Sequence, residues 1–258
     1  MGGSYAAARS EKLQISTLYK RGGDGMRPII TVENLTKEFK TKNYTVHALD
    51  NVNLNINQGD ICVLIGRSGS GKSTLMNVIG GLLKPDSGSV IIDGETMYSD
   101  NQGTLGILGI SDSRRAKIRN NKIGYVYQEF NLIKELNVLE NIRLPFDIAG
   151  RKYDLEYEKQ IIQLLLLKDR LNFFPSQLSG GERQRTAIAR ALIKRPSIIL
   201  ADEPNGNIDS KMSKELMKYI KKTNQDFGQT YLIVTHDMAW LEYASRTYEM
   251  CDGRLEEM

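Results

Sequence analysis

Residues 66–73 have the spacing of a phosphate-binding loop, and we call them the phosphate loop. They fit the pattern G-x-x-x-x-G-K-[ST] and lie between a short apolar run and a predicted helix. Glycines let the backbone wrap closely around phosphate oxygens, and the N–H groups of the loop and of the following helix then face the anion. Lys72 is predicted to reach the β- and γ-phosphates of a nucleoside triphosphate, and the Ser73 hydroxyl to bind Mg²⁺. The residues predicted to contact the nucleotide phosphates are Gly66, Arg67, Ser68, Gly69, Ser70, Gly71, Lys72, Ser73 and Thr74.

Two carboxylates follow a second apolar run. Residues 198–201 read Ile-Ile-Leu-Ala, and Asp202 and Glu203 come directly after them. A buried strand of this kind brings both carboxylates to the carboxyl edge of a parallel sheet, where ligands bind in open α/β folds. We therefore predict that Asp202 holds Mg²⁺ and that Glu203 polarises the attacking water as a general base.

Strands alternating with helices are predicted around both motifs. The apolar runs at 61–65, 198–201 and 231–234 are typical of buried strands. Helices are predicted at 73–79 and 211–222. Strands separated by helices imply a largely parallel α/β sheet, and the phosphate loop with the acidic strand end is typical of a P-loop NTPase core.

The basic charge of the chain is concentrated at its start. The formal charge is +4 over 258 residues, but residues 1–27 hold five basic and two acidic groups, which leaves 30 basic and 29 acidic groups in residues 28–258. A nearly neutral body disfavours a nucleic-acid-binding surface. No apolar run approaches the roughly 20 residues that span a bilayer. If the protein works at a membrane, another subunit must provide the spanning segments.

Residues 178–185 give the most specific resemblance, and we call them the signature segment. Their sequence, Leu-Ser-Gly-Gly-Glu-Arg-Gln-Arg, resembles the LSGGQ signature of ABC ATPases, with Glu182 where glutamine is commoner. Ser179, Gly180 and Gly181 would form a second phosphate cradle at a helix start. In the family, this cradle closes on ATP held by the other subunit of a dimer, so the resemblance implies a homodimer on ATP binding.

Further positions are carried over from the family one by one. Phe39 looks like the aromatic residue that stacks on adenine, with Tyr44 as the rival candidate. Gln128 looks like the glutamine that touches Mg²⁺ and couples the site to the membrane partner. His236 looks like the switch histidine that contacts the γ-phosphate. Residues 205–209 are similar to the D-loop, with asparagine first where threonine is usual.

The resemblance covers residues 28–258 and implies an ABC ATPase domain with an antiparallel β subdomain and an inserted α-helical subdomain at about 113–190. The clearest helix of that insertion is predicted at 154–171. Residues 1–27 are expected to be a flexible extension. The segment 98–113 is longer than the resemblance implies.

Local strings are similar to one subgroup of ABC ATPases. These strings are 46–50, 139–145 and 179–185. The subgroup holds the lipoprotein-releasing, macrolide-efflux, peptide-antibiotic-resistance and cell-division ATPases, whose permeases are separate or fused chains. The resemblance implies ATP and Mg²⁺ as cofactors, a transmembrane permease as partner, and a peripheral position on the cytoplasmic face of the cell membrane.

Two other kinds of function stay open at this point. A soluble ABC-type ATPase acting on DNA or ribosomes is disfavoured, because neither a long coiled coil nor a second cassette is visible and the body is nearly neutral. A regulatory ATPase of the cell-division type, which tethers a membrane partner with slow turnover, is compatible with the same motifs. The intact Glu203 and His236 favour an active enzyme.

Overall fold

The computed structural model describes residues 27–41, 44–99 and 110–258. The predictions for residues 1–26 and for most of the segment 98–113 therefore lie outside the described residues.

The described part of the chain contains ten strands and six α-helices. The strands are β1 (Pro28–Lys40), β2 (Thr45–Asn57), β3 (Ile61–Ile65), β4 (Ser87–Ile92), β5 (Glu95–Tyr98), β6 (Ile123–Val126), β7 (Ile198–Asp202), β8 (Thr230–Val234), β9 (Arg246–Cys251) and β10 (Arg254–Glu257). The helices are α1 (Lys72–Ile79), α2 (Asp112–Lys122), α3 (Val138–Ala149), α4 (Leu155–Leu164), α5 (Gly180–Leu192) and α6 (Ser210–Phe227). Short 3₁₀ helices cover Lys168–Arg170, Pro175–Gln177 and Met238–Tyr243.

The central sheet has six strands in the order β10-β9-β3-β8-β7-β6. All its neighbouring pairs are parallel except β9 with β10. Because β3, β7 and β8 are buried on both faces, each is an almost continuous apolar run. The predicted largely parallel α/β core is confirmed.

Alternate residues of the central strands pack into two different cores. On β3, Cys62 and Leu64 face the core shared with α1 and the second sheet, whereas Val63 faces the core shared with α3 to α6. This alternation follows from the two-residue period of a strand. The central sheet is therefore packed against a core on each face. This packing holds the strand ends, and the residues that follow them, in fixed positions.

The second sheet has the order β2-β1-β4-β5 and is antiparallel throughout. Along β2, Val52, Leu54 and Ile56 are buried and the residues between them are exposed, which is the pattern of a sheet with one covered face. This sheet corresponds to the antiparallel β subdomain that the resemblance implies.

The stretch at about 113–190 is mostly helical, as predicted, with one strand inside it and one helix that is shorter than predicted. Residues 123–126 form β6, an edge strand of the central sheet that pairs with β7. The helix expected over 154–171 ends at Leu164, because Leu166 adopts a left-handed backbone (φ 52°) and the Leu167 N–H bonds back to the Ile162 carbonyl at 3.0 Å. This is a Schellman-type helix end without glycine. The division of the chain into subdomains stays a prediction.

Within the described ranges, no helix is both long and apolar enough to cross a membrane.

Candidate active site

Four neighbouring parallel strands bring the predicted site residues to one edge of the central sheet. The phosphate loop leaves the end of β3, Asp202 ends β7, and His236 follows β8 by two residues. Gln128 follows β6 in the same way. Since parallel strands point their carboxyl ends the same way, side chains from four separate stretches of sequence share this edge.

The phosphate loop is shaped by glycines that no other residue could replace without displacing the backbone. Gly71 has φ 110°, and a Cβ atom there would lie 2.3 Å from the Ala48 carbonyl oxygen. Gly66 has φ 152°, and its Cβ would lie 2.3 Å from the Met250 carbonyl oxygen. Both contacts are with backbone, so side-chain movement cannot relieve them. The loop is thereby held against β2 and β9.

The first turn of α1 is open to an anion. Its N-cap is Gly71, and no side chain accepts a hydrogen bond from its first N–H groups. Such unpaired N–H groups at a helix start are the ordinary phosphate site of this motif. Around them, Arg67, Ser68, Gly69 and Ser73 are exposed, Thr74 is half-buried, and Ser70 is buried.

Lys72 is buried, and its ammonium lies across the phosphate loop. Its Nζ donates to the carbonyl oxygens of Gly66 at 2.7 Å and Arg67 at 2.8 Å. Burial lowers the pKa of Lys72, and the charges of Glu203 and Asp202 oppose that shift. A desolvated cation beside two carboxylates gains much from an incoming phosphate, because little water remains to screen the attraction.

Glu203 and His236 are in direct contact. The Glu203 Oε1 lies 2.9 Å from His236 Nδ1, and the Thr235 hydroxyl donates to Glu203 Oε2 at 3.4 Å. The backbone of Glu203 is left-handed (φ 43°), and its N–H donates to the Val234 carbonyl at 2.8 Å. The hydrogen bond to β8 thus holds Glu203 in a left-handed conformation, which orients its carboxylate. Such strained conformations are common at functional sites.

The donor set at the sheet edge suits a divalent cation. Burial, with the nearby Glu203 carboxylate, raises the pKa of Asp202, while Lys72 opposes the rise. A half-buried carboxylate in this situation is stabilised by a bound cation. Ser73 and Gln128 are exposed and add the hydroxyl and amide oxygens that Mg²⁺ accepts alongside water. The residues present therefore fit Mg²⁺.

Gln128 also packs against the D-loop. A Cβ on Gly206 would lie 2.7 Å from Gln128 Nε2, and the Asn207 side chain donates to the Gln128 carbonyl at 2.9 Å. The segment around Gln128 therefore touches the loop that follows Glu203.

The signature segment begins α5 and lies against the D-loop, where a Cβ on Gly180 would come 3.4 Å from the Asn207 carbonyl oxygen. Ser179 is the N-cap of α5, and its hydroxyl donates to Glu182 Oε2 at 2.9 Å while accepting from the Glu182 N–H at 3.3 Å. Gly180 and Gly181 form the first turn of α5. In the described part of the chain, no hydrogen bond joins the signature segment to the phosphate loop. The described residues therefore show no direct polar contact between Ser179 and Lys72.

Both candidates for adenine stacking are exposed on the ribbon formed by β1 and β2. Phe39 is 43% exposed and Tyr44 is 63% exposed. Phe39 pairs with Val46, two residues before the Ala48 that contacts the phosphate loop. The Lys37 ammonium lies 5.6 Å from the Phe39 ring centre. The stacking role of Phe39, with Tyr44 as the alternative, stays a prediction.

One cluster at this edge was missed from the sequence. Asn205 donates from Nδ2 to Asp237 Oδ2 at 2.7 Å and accepts from Trp240 Nε1 at 3.1 Å. Its only signal in the sequence is the asparagine that begins the D-loop in place of threonine.

Comparisons with known proteins agree with this geometry. The family model described as ABC transporter matches residues 49–206. The lipoprotein-releasing system ATP-binding protein LolD of Buchnera aphidicola subsp. Schizaphis graminum is 40% identical over 229 residues, covering 88% of this chain and 96% of that protein. The uncharacterized ABC transporter ATP-binding protein MJ0796 of Methanocaldococcus jannaschii is 43% identical over 234 residues, covering 88% and 95%.

A solved structure is also similar over nearly the whole chain. It is a dimeric, post-hydrolysis state of the ATP-binding cassette MJ0796 bound to ADP and Pi, with a TM-score of 0.75 and 39% identity, covering 89% of this chain and 97% of that one. The predicted resemblance to ABC ATPases and to the lipoprotein-releasing subgroup is confirmed. With the phosphate loop, the acidic pair and the signature segment on a common scaffold, the chain belongs to the ABC transporter family as an ATP-binding and ATP-hydrolysing member.

Proposed function

We propose that this chain powers a separate membrane permease of the lipoprotein-releasing, macrolide-efflux or peptide-export type, working as a homodimer with two shared ATP sites. The observation that carries the proposal is that the two phosphate cradles lie at the starts of different helices and make no direct polar contact in the described residues. Lys72 lies at the sheet edge, whereas Ser179 begins α5 with no hydrogen bond to the phosphate loop in the described residues. A second copy of the chain can supply the missing cradle. The MJ0796 cassette, which is similar in sequence, has been solved as a dimer.

Within each shared site, Lys72 binds the β- and γ-phosphates in exchange for its bonds to the loop carbonyls. Glu203 accepts the proton of the attacking water. His236 is held by Glu203 through Nδ1, so Nε2 is left to contact the γ-phosphate. Positioning and charge stabilisation of this kind supply most of the catalysis of phosphoryl transfer.

Ser73, Asp202 and Gln128 are the residues that would hold Mg²⁺. When bound, the cation neutralises charge on the β- and γ-phosphate oxygens. Asp202 and Glu203 thus have separate roles, one holding the cation and one taking the proton.

A cleft beside the Gln128 segment supports docking of the permease. It encloses about 620 Å³ and its lining includes the exposed apolar residues Leu82, Ile133 and Ile148, together with the basic residues Arg119 and Lys194. An amphipathic cytoplasmic helix of the permease, with an apolar face and acidic residues, complements this lining. We propose such a helix as the occupant.

Hydrogen bonds join the cleft to the segment that follows Gln128. Arg190 of α5 donates to the Phe130 carbonyl at 2.7 Å and also to the Asn131 carbonyl. Both acceptors lie just after Gln128, and Arg190 also lines the cleft. Docking in the cleft can therefore shift the Gln128 segment and the signature helix together.

Reconstitution tests the proposal. We expect slow ATP turnover by the isolated chain and faster turnover with the permease in lipid vesicles. Ile148→Glu should weaken the stimulation about tenfold or more, because an unpaired carboxylate would be buried in the docked state. Leu155→Glu is the matched control, since Leu155 is 55% exposed and does not line the cleft.

The ratio of turnover with and without the permease decides between the candidate functions. Equal turnover in both conditions, with the permease verified as bound, would contradict transport coupling and favour a tethering ATPase of the cell-division type. Equal stimulation of both glutamate variants would contradict the proposed docking cleft.

A further inference from the structure

The side-chain amide of Asn205 joins two loops of the site. Its Nδ2 donates to Asp237 Oδ2 at 2.7 Å, and its Oδ1 accepts from Trp240 Nε1 at 3.1 Å. Trp240 is completely buried, and among the described residues its indole N–H has no other hydrogen-bond partner. The amide is therefore oriented by its surroundings, because turning it over would break both bonds at once.

These two bonds connect the loop that follows Glu203, the predicted general base, to the loop that follows His236, the predicted switch histidine. Asn205 follows Glu203 by two residues, and Asp237 follows His236 directly. The Asp237 N–H donates to the Thr235 hydroxyl at 3.0 Å, and that hydroxyl donates to Glu203 Oε2 at 3.4 Å. Glu203 and His236 are thus held together on one side by their own 2.9 Å contact and on the other by Asn205.

Asp237 uses each carboxylate oxygen for a different purpose. Its Oδ1 accepts from the Ala239 N–H at 2.9 Å and so begins the 3₁₀ helix Met238–Tyr243, while its Oδ2 accepts from Asn205. If either carboxylate oxygen turned away, its donor, the Asn205 amide or the Ala239 N–H, would lose its hydrogen bond. The pairing between positions 205 and 237 is therefore specific in direction, with the amide as donor and the carboxylate as acceptor.

We propose that Asn205 is a positioning residue for ATP hydrolysis, which fixes the loop of Glu203 relative to the loop of His236 through its bonds to Asp237 and Trp240. The inference rests on the proposed roles of Glu203 and His236. Asn205 itself does not contact the nucleotide in this proposal. Its loss should lower kcat with little change in KM for ATP, because the phosphate loop does not depend on it.

A reciprocal exchange of the two side chains gives the test. Asn205→Asp places two carboxylates within hydrogen-bond distance, and Asp237→Asn leaves one donor without an acceptor. In the double variant the carboxylate at 205 accepts from Trp240 and from the amide at 237, and the amide oxygen at 237 still accepts from Ala239. Every hydrogen bond is restored and the net charge is that of the original chain.

We expect each single variant to lower kcat by about 10- to 100-fold, the size of effect that a misplacement of about 1 Å produces. The double variant should recover to within about threefold of the original chain by the same reasoning. Asn55→Asp is the control for added charge, since Asn55 is exposed on β2 and its carbonyl accepts from Arg246, the first residue of β9, at the opposite end of that strand from the site edge. Thermal melting of all four variants checks that the fold is retained.

The role of Asn205 would be overturned if the fold-loss of kcat in the double variant equalled the product of the losses in the two single variants. Normal kcat in both single variants would overturn it as well. Recovery of melting temperature without recovery of kcat would also overturn it, since the pair would then serve the fold alone. Glu203→Gln is assayed in parallel. If that variant hydrolyses ATP normally, the proposed general base is wrong; if it is inactive while the exchange shows no rescue, only the present inference fails.

Discussion

Glu203→Gln should bind ATP normally but hydrolyse it about 10²- to 10⁴-fold more slowly, the loss typical for removal of a positioned general base. This corresponds to roughly 3–5 kcal/mol of activation free energy. Glutamine keeps the shape of the side chain and can still contact His236 at the 2.9 Å position of Oε1. Its amide cannot accept the proton of the attacking water, so the effect falls on the chemical step.

The same variant should accumulate as an ATP-bound dimer, because closure of the two shared sites needs ATP and hydrolysis would reopen them. Gel filtration with ATP and Mg²⁺ measures the dimer, and a phosphate-release assay measures turnover. Glu256→Gln, at an exposed position of β10, is the matched control and should behave like the original chain. Normal turnover in Glu203→Gln, with only monomer in the column profile, would mean that another residue is the base.

Lys72→Ala should lose nearly all affinity for ATP. Lys72 is buried at the phosphate loop, where the charges of Glu203 and Asp202 favour its protonated form. A charged hydrogen bond contributes about 1.5–3 kcal/mol, so losing two such bonds to phosphate lowers affinity by roughly 10²-fold or more. The two carboxylates would in addition face the phosphates without an opposing lysine.

The folding stability of Lys72→Ala should change much less than its affinity. Burial lowers the pKa of Lys72, which means that its charged form is held there at a cost in the absence of phosphate. Titration with a fluorescent ATP analogue measures binding, and thermal melting measures stability. Lys84→Ala, at an exposed position after α1, is the control. Unchanged affinity in Lys72→Ala would contradict the assignment of the phosphate loop.

The sequence predicted the strands that carry the site because each of them is a buried apolar run with a chemical motif at its end. β3 leads into the phosphate loop, and β7 ends at Asp202. Both signals lie within one short stretch of sequence, so they can be recognised without knowing which strands are neighbours in the sheet. The parallel order of the sheet then follows from the helices between the strands.

The features that were missed depend on tertiary contacts. β6 is only four residues long and follows α2 without a turn, so its identity as a strand comes from pairing with β7. The end of α4 at Leu164 is set by a left-handed leucine, a conformation that glycine normally signals. Asn205 is bonded to Asp237 and Trp240, which follow it by 32 and 35 positions, and no sequence spacing predicts these contacts.

The central claim is that each ATP lies between Lys72 of one subunit and Ser179 of the other. It is tested by the ATPase activity of two covalently linked dimers. One carries Lys72→Ala in the first half and Ser179→Arg in the second; the other carries both changes in the same half. The arginine blocks the approach of phosphate at the start of α5.

The shared-site geometry predicts activity in the dimer with the changes in different halves, because both lesions then fall on one site and the other site is intact. The dimer with both changes in one half should be inactive, because each of its sites carries one lesion. The reverse ranking, with activity only when both changes lie in the same half, would contradict the shared site and place Lys72 and Ser179 in one subunit.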